Sequence, residues 1–547
     1  MSNAGIGRAS VLLASGTLFS RLLGFASAIV LTHTIAQRSV GSNAFALANQ
    51  LPNNLYAIIA GGLLSSVFVP AIVRAGLHDD GGQRFVNRLV TLGILVFAGA
   101  GVIATVAAPV LIRIYAQTGS TSTADDFIAL ATAFAFWCLP QVLFYALYSL
   151  FGEVLNARGI FGPFTWAPAI NNVIVIAGLV LFTVLFGTDI GATSTPASAW
   201  TPGMVALLGG TASLGVAAQA FLLCFFWRRA GLRYRPDFHF RGAGLGAAGR
   251  AALWTLGMIL VTQLAGVVQS RVTSLAATTE DAAYQSLKNT WLIFMLPHSI
   301  AAVSIATAYF TRMSTHHRDG RDRELVADLA ASLRSIGLII VFASVGLIVL
   351  AYPFSALFAK DGNFTDVATM APVLIAFLVG LVPFSVLYVL RRTFYAVNDT
   401  RTPFFITVFQ AALFCLLIIP VASLPESQIA VGIATVTTIA GIAQTTLAIV
   451  LIRRKLGLLH GRAILRRHVQ FLLAAVPAAL LGLAIVALLG AFRAGGFGSS
   501  SFVGAAVTMV IAGGVMAIVY AGALRLMHNP ELADFLGPVI RRLRPRR

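Results

Sequence analysis

Residues 11–36 read VLLASGTLFSRLLGFASAIVLTHTIA, with one arginine, one histidine and no acid. An apolar run of this length is a membrane-spanning helix, because a core of about 30 Å takes about 20 residues at 1.5 Å each. Arg21 lies about 16 Å from the start of the run near Ser10, close to the middle of that core. Holding a guanidinium there costs about 2.5–3.5 kcal/mol even on a lenient insertion scale. Such a group is expected to face a cavity or a partner, and no carboxylate in the run can serve.

The rest of the chain extends this reading. Its 547 residues are 58% hydrophobic and 10% charged, too little charge for a soluble surface. Apolar segments recur to residue 527, so the fold class is an all-α polytopic membrane protein; a barrel would show short alternating strands instead. About fourteen segments are expected, at 10–36, 41–74, 84–114, 126–157, 163–187, 203–228, 249–278, 282–312, 326–358, 367–397, 403–423, 428–452, 466–492 and 500–526. The first is too long for a signal-peptide core and is read as retained.

Charge orients these segments. Connections after even-numbered segments carry Arg84, Arg88, Arg158, Arg228, Arg229, Arg233, Arg235, Arg241, Arg318, Arg321, Arg323, Arg401, Arg453, Arg454 and Lys455, and the tail adds Arg541 to Arg547. Connections after odd-numbered segments are sparse or acidic, with Asp125, Asp126, Asp189, Glu280, Asp281, Asp361, Asp366 and Glu426. Both termini are therefore expected to be cytoplasmic. The net charge of +19 sits at segment ends, which points to acidic membrane lipid and away from nucleic acid. Cys138, Cys224 and Cys415 lie far apart in apolar segments, without metal or disulfide spacing.

The chain also repeats. Pro140 is followed by Tyr145, Leu147 and Phe151, and Pro383 by Tyr388, Leu390 and Phe394, at identical offsets. Leu51-Pro52 matches Leu296-Pro297, and Ser20-Arg21 matches Ser270-Arg271. A six-helix unit used twice places both copies in one orientation, as two parallel lobes around a central cavity. Expected divisions are 1–230 for the first lobe, 231–455 for the second, and 456–547 for two added helices with a basic tail.

No enzyme signature is present: HEXXH, GXSXG and P-loop patterns are absent, and no carboxylates pair. The chain is read as a non-enzyme without a cofactor. His316-His317 reads as a solvated pair in a charged loop. The candidates are cationic. Arg21, Arg271 and Lys288 suit a phosphate or pyrophosphate, which arginine grips with a planar fork and lysine as a point charge; snorkelling to the interface is the competing reading. Arg391 and Arg392, near the cytoplasmic end of segment 10, stand between snorkelling and a role at the cavity mouth. Asn43, Gln50 and Asn54 share one face of segment 2, where they contact cargo or stitch helices together. Pro52, Pro140, Pro297 and Pro383 each interrupt a helix, as hinges or as static kinks. Multidrug antiport loses ground, since only Glu153 approaches the membrane interior as a coupling acid.

Five stretches together resemble the MurJ (MviN) family of lipid II flippases, in the multidrug/oligosaccharidyl-lipid/polysaccharide exporter superfamily. They are Ser15 to Phe25; Asn49-Gln50-Leu51-Pro52-Asn53 with Val67-Phe68-Val69-Pro70; Leu155-Asn156 with Trp166-Ala167-Pro168 and Asn171-Asn172; Gly362-Asn363-Phe364; and Phe394-Tyr395-Ala396 with Asp399 to Pro403. The Trp-Ala-Pro stretch is similar to actinobacterial members. The resemblance implies alternating access by two lobes, a cationic cavity for a lipid-linked pyrophosphate, and a groove by the last two helices for its polyprenyl tail. It also implies a bacterial cytoplasmic-membrane location and cell-wall synthesis proteins as partners. Arg21 matches the family's first-helix cavity arginine. Departures fall at Ser27, Asn43, Tyr56-Ala57 and Leu292, where family charges are missing; Lys288, one turn before Leu292, is a substitute on the same face. The driving force, a coupling ion or the membrane potential, is not written in the sequence. A flippase for another polyprenyl-linked glycan and a non-transporting cell-wall scaffold are the alternative readings.

Overall fold

The computed structural model describes residues 3–63, 82–117, 122–158, 160, 162–239, 249–278, 280–457 and 459–535. Arg241, the arginines from 541 to 547 and the Val67 to Pro70 stretch lie outside the described residues. Among the described residues the regular structure is helical throughout. Twelve helices are long and apolar enough to cross a membrane, and a thirteenth span is the bent pair Phe364–Val379 and Leu381–Ala396. These correspond one by one to segments 1, 3 to 9, 10, and 11 to 14. Segment 2 is the helix Val40–Leu63, made less apolar by five Asn and Gln side chains.

Several spans begin at a polar cap. Span 1 runs unbroken over Asn3–Thr34. Thr201 caps span 6 (Pro202–Phe225) and Ser501 caps span 14 (Phe502–Leu526), each accepting a first-turn N–H through its hydroxyl. Asn363 does the same for span 10.

The four prolines act differently within their pairs. Pro140 separates the two helices of span 4, Ser122–Cys138 and Gln141–Ala157. Its repeat mate Pro383 lies just past Gly380, where span 10 bends by 42°. Pro52 sits inside an uninterrupted helix. Its mate Pro297 ends the first helix of span 8 (Tyr284–Pro297) and is followed by a π-helical turn, His298–Ala302, before Val303–Arg318 completes the span.

Packing divides the chain into two compact units, Met1–Gln285 and Ser286–Arg547. This differs from the divisions expected at 230 and 455. Span 7 (Gly249–Ser274) belongs with the first unit because it packs on span 2 and on the short helix Ala108–Tyr115. Spans 13 (Gly461–Leu488) and 14 pack on span 9 (Asp322–Val349) within the second unit. A sequence repeat counts ancestry, whereas compactness follows which faces touch.

In the first unit, Val86, Leu89 and Phe97 of span 3 (Gln83–Val106) pack with Leu150, Trp227 and Leu232. In the second, Leu338, Val341, Phe471, Met516 and Tyr520 form a core across spans 9, 13 and 14. The Tyr520 hydroxyl donates to the Leu338 carbonyl at 2.8 Å, a polar tie inside an apolar layer.

Candidate functional site

Span 1 is seated on span 5 (Gly162–Phe186) through small residues. A Cβ on Gly16 would come within 2.8 Å of the Trp166 ring, so only glycine permits this approach. The Phe19 and Trp166 rings lie 5.4 Å apart. One turn on, the Asn172 side-chain amide donates to the Ser20 carbonyl at 3.1 Å. Ser27, where the family pattern carries a second arginine, is buried at 8% exposure. Arg21 stands about 100° round the helix from Ser20. It is half-buried and enters no ion pair among the described residues.

The polar stripe of span 2 splits in two. Asn43 is fully buried; its Nδ2 donates to the Ala277 carbonyl at 3.5 Å and its Oδ1 accepts the Gln285 N–H at 3.2 Å. Asn54 hydrogen-bonds the Tyr115 hydroxyl. Asn49 Oδ1 accepts from Gln141 Nε2 at 3.1 Å, and Gln141 also donates to Ser213 at 3.0 Å. These amides join span 2 to spans 3, 4 and 6, to the turn after span 7 and to the start of span 8. Gln50 and Asn53 remain exposed, available to a cargo.

Arg271 is half-buried and tied. Its Nη1 donates to the carbonyls of Arg113 and Ile114, both at 3.3 Å, in the last turn of the short helix Ala108–Tyr115. A cation suits that end, where unpaired carbonyls accumulate. Lys288 is exposed and lies in the second unit.

Arg391 and Arg392 do not snorkel along the chain direction. Arg392 donates to the Tyr388 hydroxyl one turn back at 2.9 Å, with its guanidinium 5.3 Å from the Phe310 and Tyr388 rings. Arg391 donates to Thr407 of span 11 (from Arg401) at 3.2 Å. Helical side chains lean toward the N-terminus of their helix, which accounts for this direction.

Sequence reasoning passed over Gln141, His298 and Asp328, and met Asn172 only within a family-like stretch, without a contact for it. His298 is buried in the π turn, with its ring at 3.0 Å from the Ser385 hydroxyl and perpendicular to the Tyr388 ring. A polar residue beside a proline in a spanning helix was the available signal for Gln141 and His298. The His316-His317 reading is corrected: His316 closes a helix, is 15% exposed, and lies between Glu324 at 2.9 Å and Asp328 at 3.2 Å. Asp328, buried on span 9, is also held by Arg312 at 2.7 Å. Among the described residues no group of three or more His, Cys, Asp or Glu could hold a metal ion.

Residues 37–507 match the family model described as lipid II flippase MurJ. The chain belongs to the MurJ family. Its relatives include a protein of Haemophilus influenzae described as "Probable lipid II flippase MurJ", 25% identical over 408 residues, covering 71% of this chain and 75% of the relative. A protein of Borreliella burgdorferi with the same description is 25% identical over 407 residues, covering 73% and 74%. Among solved structures, a lipid II flippase MurJ in an inward closed conformation superposes with a TM-score of 0.70 at 19% identity, covering 95% of this chain and 100% of that one. An inward-facing multidrug resistance transporter of the MATE family, described as of the MOP superfamily, gives 0.62 at 15% identity, covering 82% and 99%. At these identities the structural likenesses speak to the fold. MurJ membership makes this chain a multi-span membrane transporter of the lipid II flippase class.

Proposed function

We propose that this chain carries undecaprenyl-pyrophosphate-linked disaccharide-pentapeptide from the inner to the outer leaflet of the bacterial cytoplasmic membrane, both of its termini cytoplasmic. Two lobes of six spans alternate access to a central cavity, and no covalent chemistry is involved. The observation that carries the reading is Arg21: an arginine without an acid partner among the described residues, half-buried in a spanning helix of a MurJ-family chain. A buried cation that lacks an internal counter-charge is satisfied by an anionic cargo, and a pyrophosphate matches the guanidinium fork.

Within this reading Arg21 is the principal grip on the pyrophosphate, and the exposed Gln50 of span 2 is available to the same cargo. Lys288 is exposed and contributes as a point charge. Arg271 contributes only its remaining N–H groups, since Nη1 is committed to Arg113 and Ile114. Asn43 and Asn54 hold the helices that frame the site. Pro140 and Pro383 sit at real breaks and serve as hinges; Pro297 adds a third through the π turn, while Pro52 lies in a continuous helix. A coupling ion or the membrane potential supplies the driving force, and cell-wall synthesis proteins are the partners that consume the product.

Outer-leaflet accessibility of lipid II, measured with and without the protein, tests the reading. Depletion is expected to trap lipid II inside. Normal accessibility after depletion would mean a scaffold, and trapping of a different polyprenyl-linked glycan would mean a different cargo.

A further inference from the structure

After span 6 ends at Phe225, the chain turns at Arg228–Ala230 and then runs from Leu232 to His239 along span 3. Leu232 anchors this strap in the core beside Val86 and Leu89. Beyond it, alternate backbone N–H groups are read by one polar face of span 3. Arg233 N–H donates to Gln83 Oε1 at 3.0 Å, Arg235 N–H to Asn87 Oδ1 at 3.3 Å, and Asp237 N–H to Thr91 Oγ1 at 3.1 Å. Gln83 Nε2 returns a bond to the Arg233 carbonyl at 2.6 Å. Four helical residues advance about 6 Å and two extended residues about 6.6 Å, so the two spacings nearly coincide. Gln83, Asn87 and Thr91 form a ladder that holds the strap extended.

The ladder consumes backbone groups and leaves side chains outward. Arg228, Arg229, Arg233 and Arg235 are exposed, and none has an acid partner among the described residues. The acid of the strap, Asp237, is taken by Arg88 at 3.0 Å and His239 at 2.9 Å. Phe225 at 80% exposure and Phe238 at 62% flank the four arginines. The group begins three residues beyond a membrane span, the place where basic side chains meet lipid headgroups.

We propose that the strap Leu232–His239, with Arg228 and Arg229 at its root, is a preorganised docking surface for acidic phospholipid headgroups of the cytoplasmic leaflet. Four exposed guanidiniums, those of Arg233 and Arg235 rising from backbone that the ladder fixes, together with aromatic rings at the acyl boundary, fit a lipid surface better than a soluble acidic partner. The leaflet rests on the orientation given under the proposed function; the lipid preference does not.

The full-length protein in nanodiscs of phosphatidylcholine with graded phosphatidylglycerol provides the test, since both faces are then accessible. Retained phosphatidylglycerol is counted by native mass spectrometry. Each arginine is expected to contribute roughly fivefold to the preference, so R228Q/R229Q/R233Q/R235Q should lose most of it. The variant Q83A/N87A keeps all four charges but frees the strap, and should lose part. Unchanged phosphatidylglycerol retention in the quadruple variant would overturn the proposal. So would protection of the strap from trypsin by an acidic peptide or an oligonucleotide but not by phosphatidylglycerol vesicles. Trypsin cleavage of the strap from outside intact cells would refute the leaflet assignment alone.

Discussion

Asn172 of span 5 donates its side-chain amide to the main-chain carbonyl of Ser20 at 3.1 Å, one residue before the half-buried guanidinium of Arg21. The contact fixes the rotation of span 1 about its own axis. Arg21 points where it does because its neighbour is held. An interhelical hydrogen bond in a membrane contributes on the order of 1 kcal/mol, so Asn172→Leu is expected to lower lipid II export roughly fivefold at normal protein level. Arg21→Ala should abolish rescue of a flippase-depleted strain, and the double variant should be no worse, because both substitutions act on one group. Full rescue by Arg21→Ala would remove this residue from the site.

Gly191 tests how tightly the end of span 1 is closed. A Cβ there would lie 2.0 Å from the Thr34 carbonyl, backbone that cannot step aside, while the Gly191 carbonyl accepts the Ala36 N–H at 2.7 Å. Gly191→Ala should cost about 1–3 kcal/mol as overpacking, read as a lower unfolding temperature in detergent, whereas Gly187→Ala, which meets no atom within 4 Å but has a positive φ, should cost less.

The strap on span 3 should resist acid. The backbone N–H and ring of His239, then Arg88, hold the Asp237 carboxyl down at about 2, below its ordinary 3.8. A depressed carboxylate stabilises docking fully above about pH 4, and that contribution is lost as pH falls toward 2. Hydrogen exchange at Arg235 and Asp237 should therefore stay slow at pH 5 and quicken only in stronger acid. Asp237→Asn should make exchange fast at every pH.

His298 links the π turn of span 8 to the bend of span 10. His298→Leu leaves the Ser385 hydroxyl without its ring partner, a loss of about 1–3 kcal/mol. If the two breaks move together, turnover should fall more than lipid II binding does. Equal losses in both would mark the contact as static packing.

Asp328 should be intolerant of change. It is buried and holds Arg312 at 2.7 Å and His316 at 3.2 Å. Asp328→Leu removes the acid partner of Arg312 and is expected to lower the unfolding temperature in detergent. The substitution Asp322→Asn, on an exposed side chain, should be close to neutral.

Length, hydropathy and charge asymmetry by themselves determined the membrane class, the succession of spans and the candidate at Arg21. Each of those signals is local: a helix in lipid must satisfy its own backbone, so its length and polarity are written in consecutive residues. What each polar side chain does was decided only by tertiary structure, because a partner in lipid is found across helices and not along them. Asn43, Gln50 and Asn54 lie on one helical face, yet Asn43 and Asn54 are spent on neighbours while Gln50 is exposed. Arg271, expected from the sequence to be the counterpart of Arg21, donates to the carbonyls at a helix end. Where the compact units divide followed in the same way from which faces touch, and Asn172, unremarkable as a residue type, gained its role from the span it happens to face.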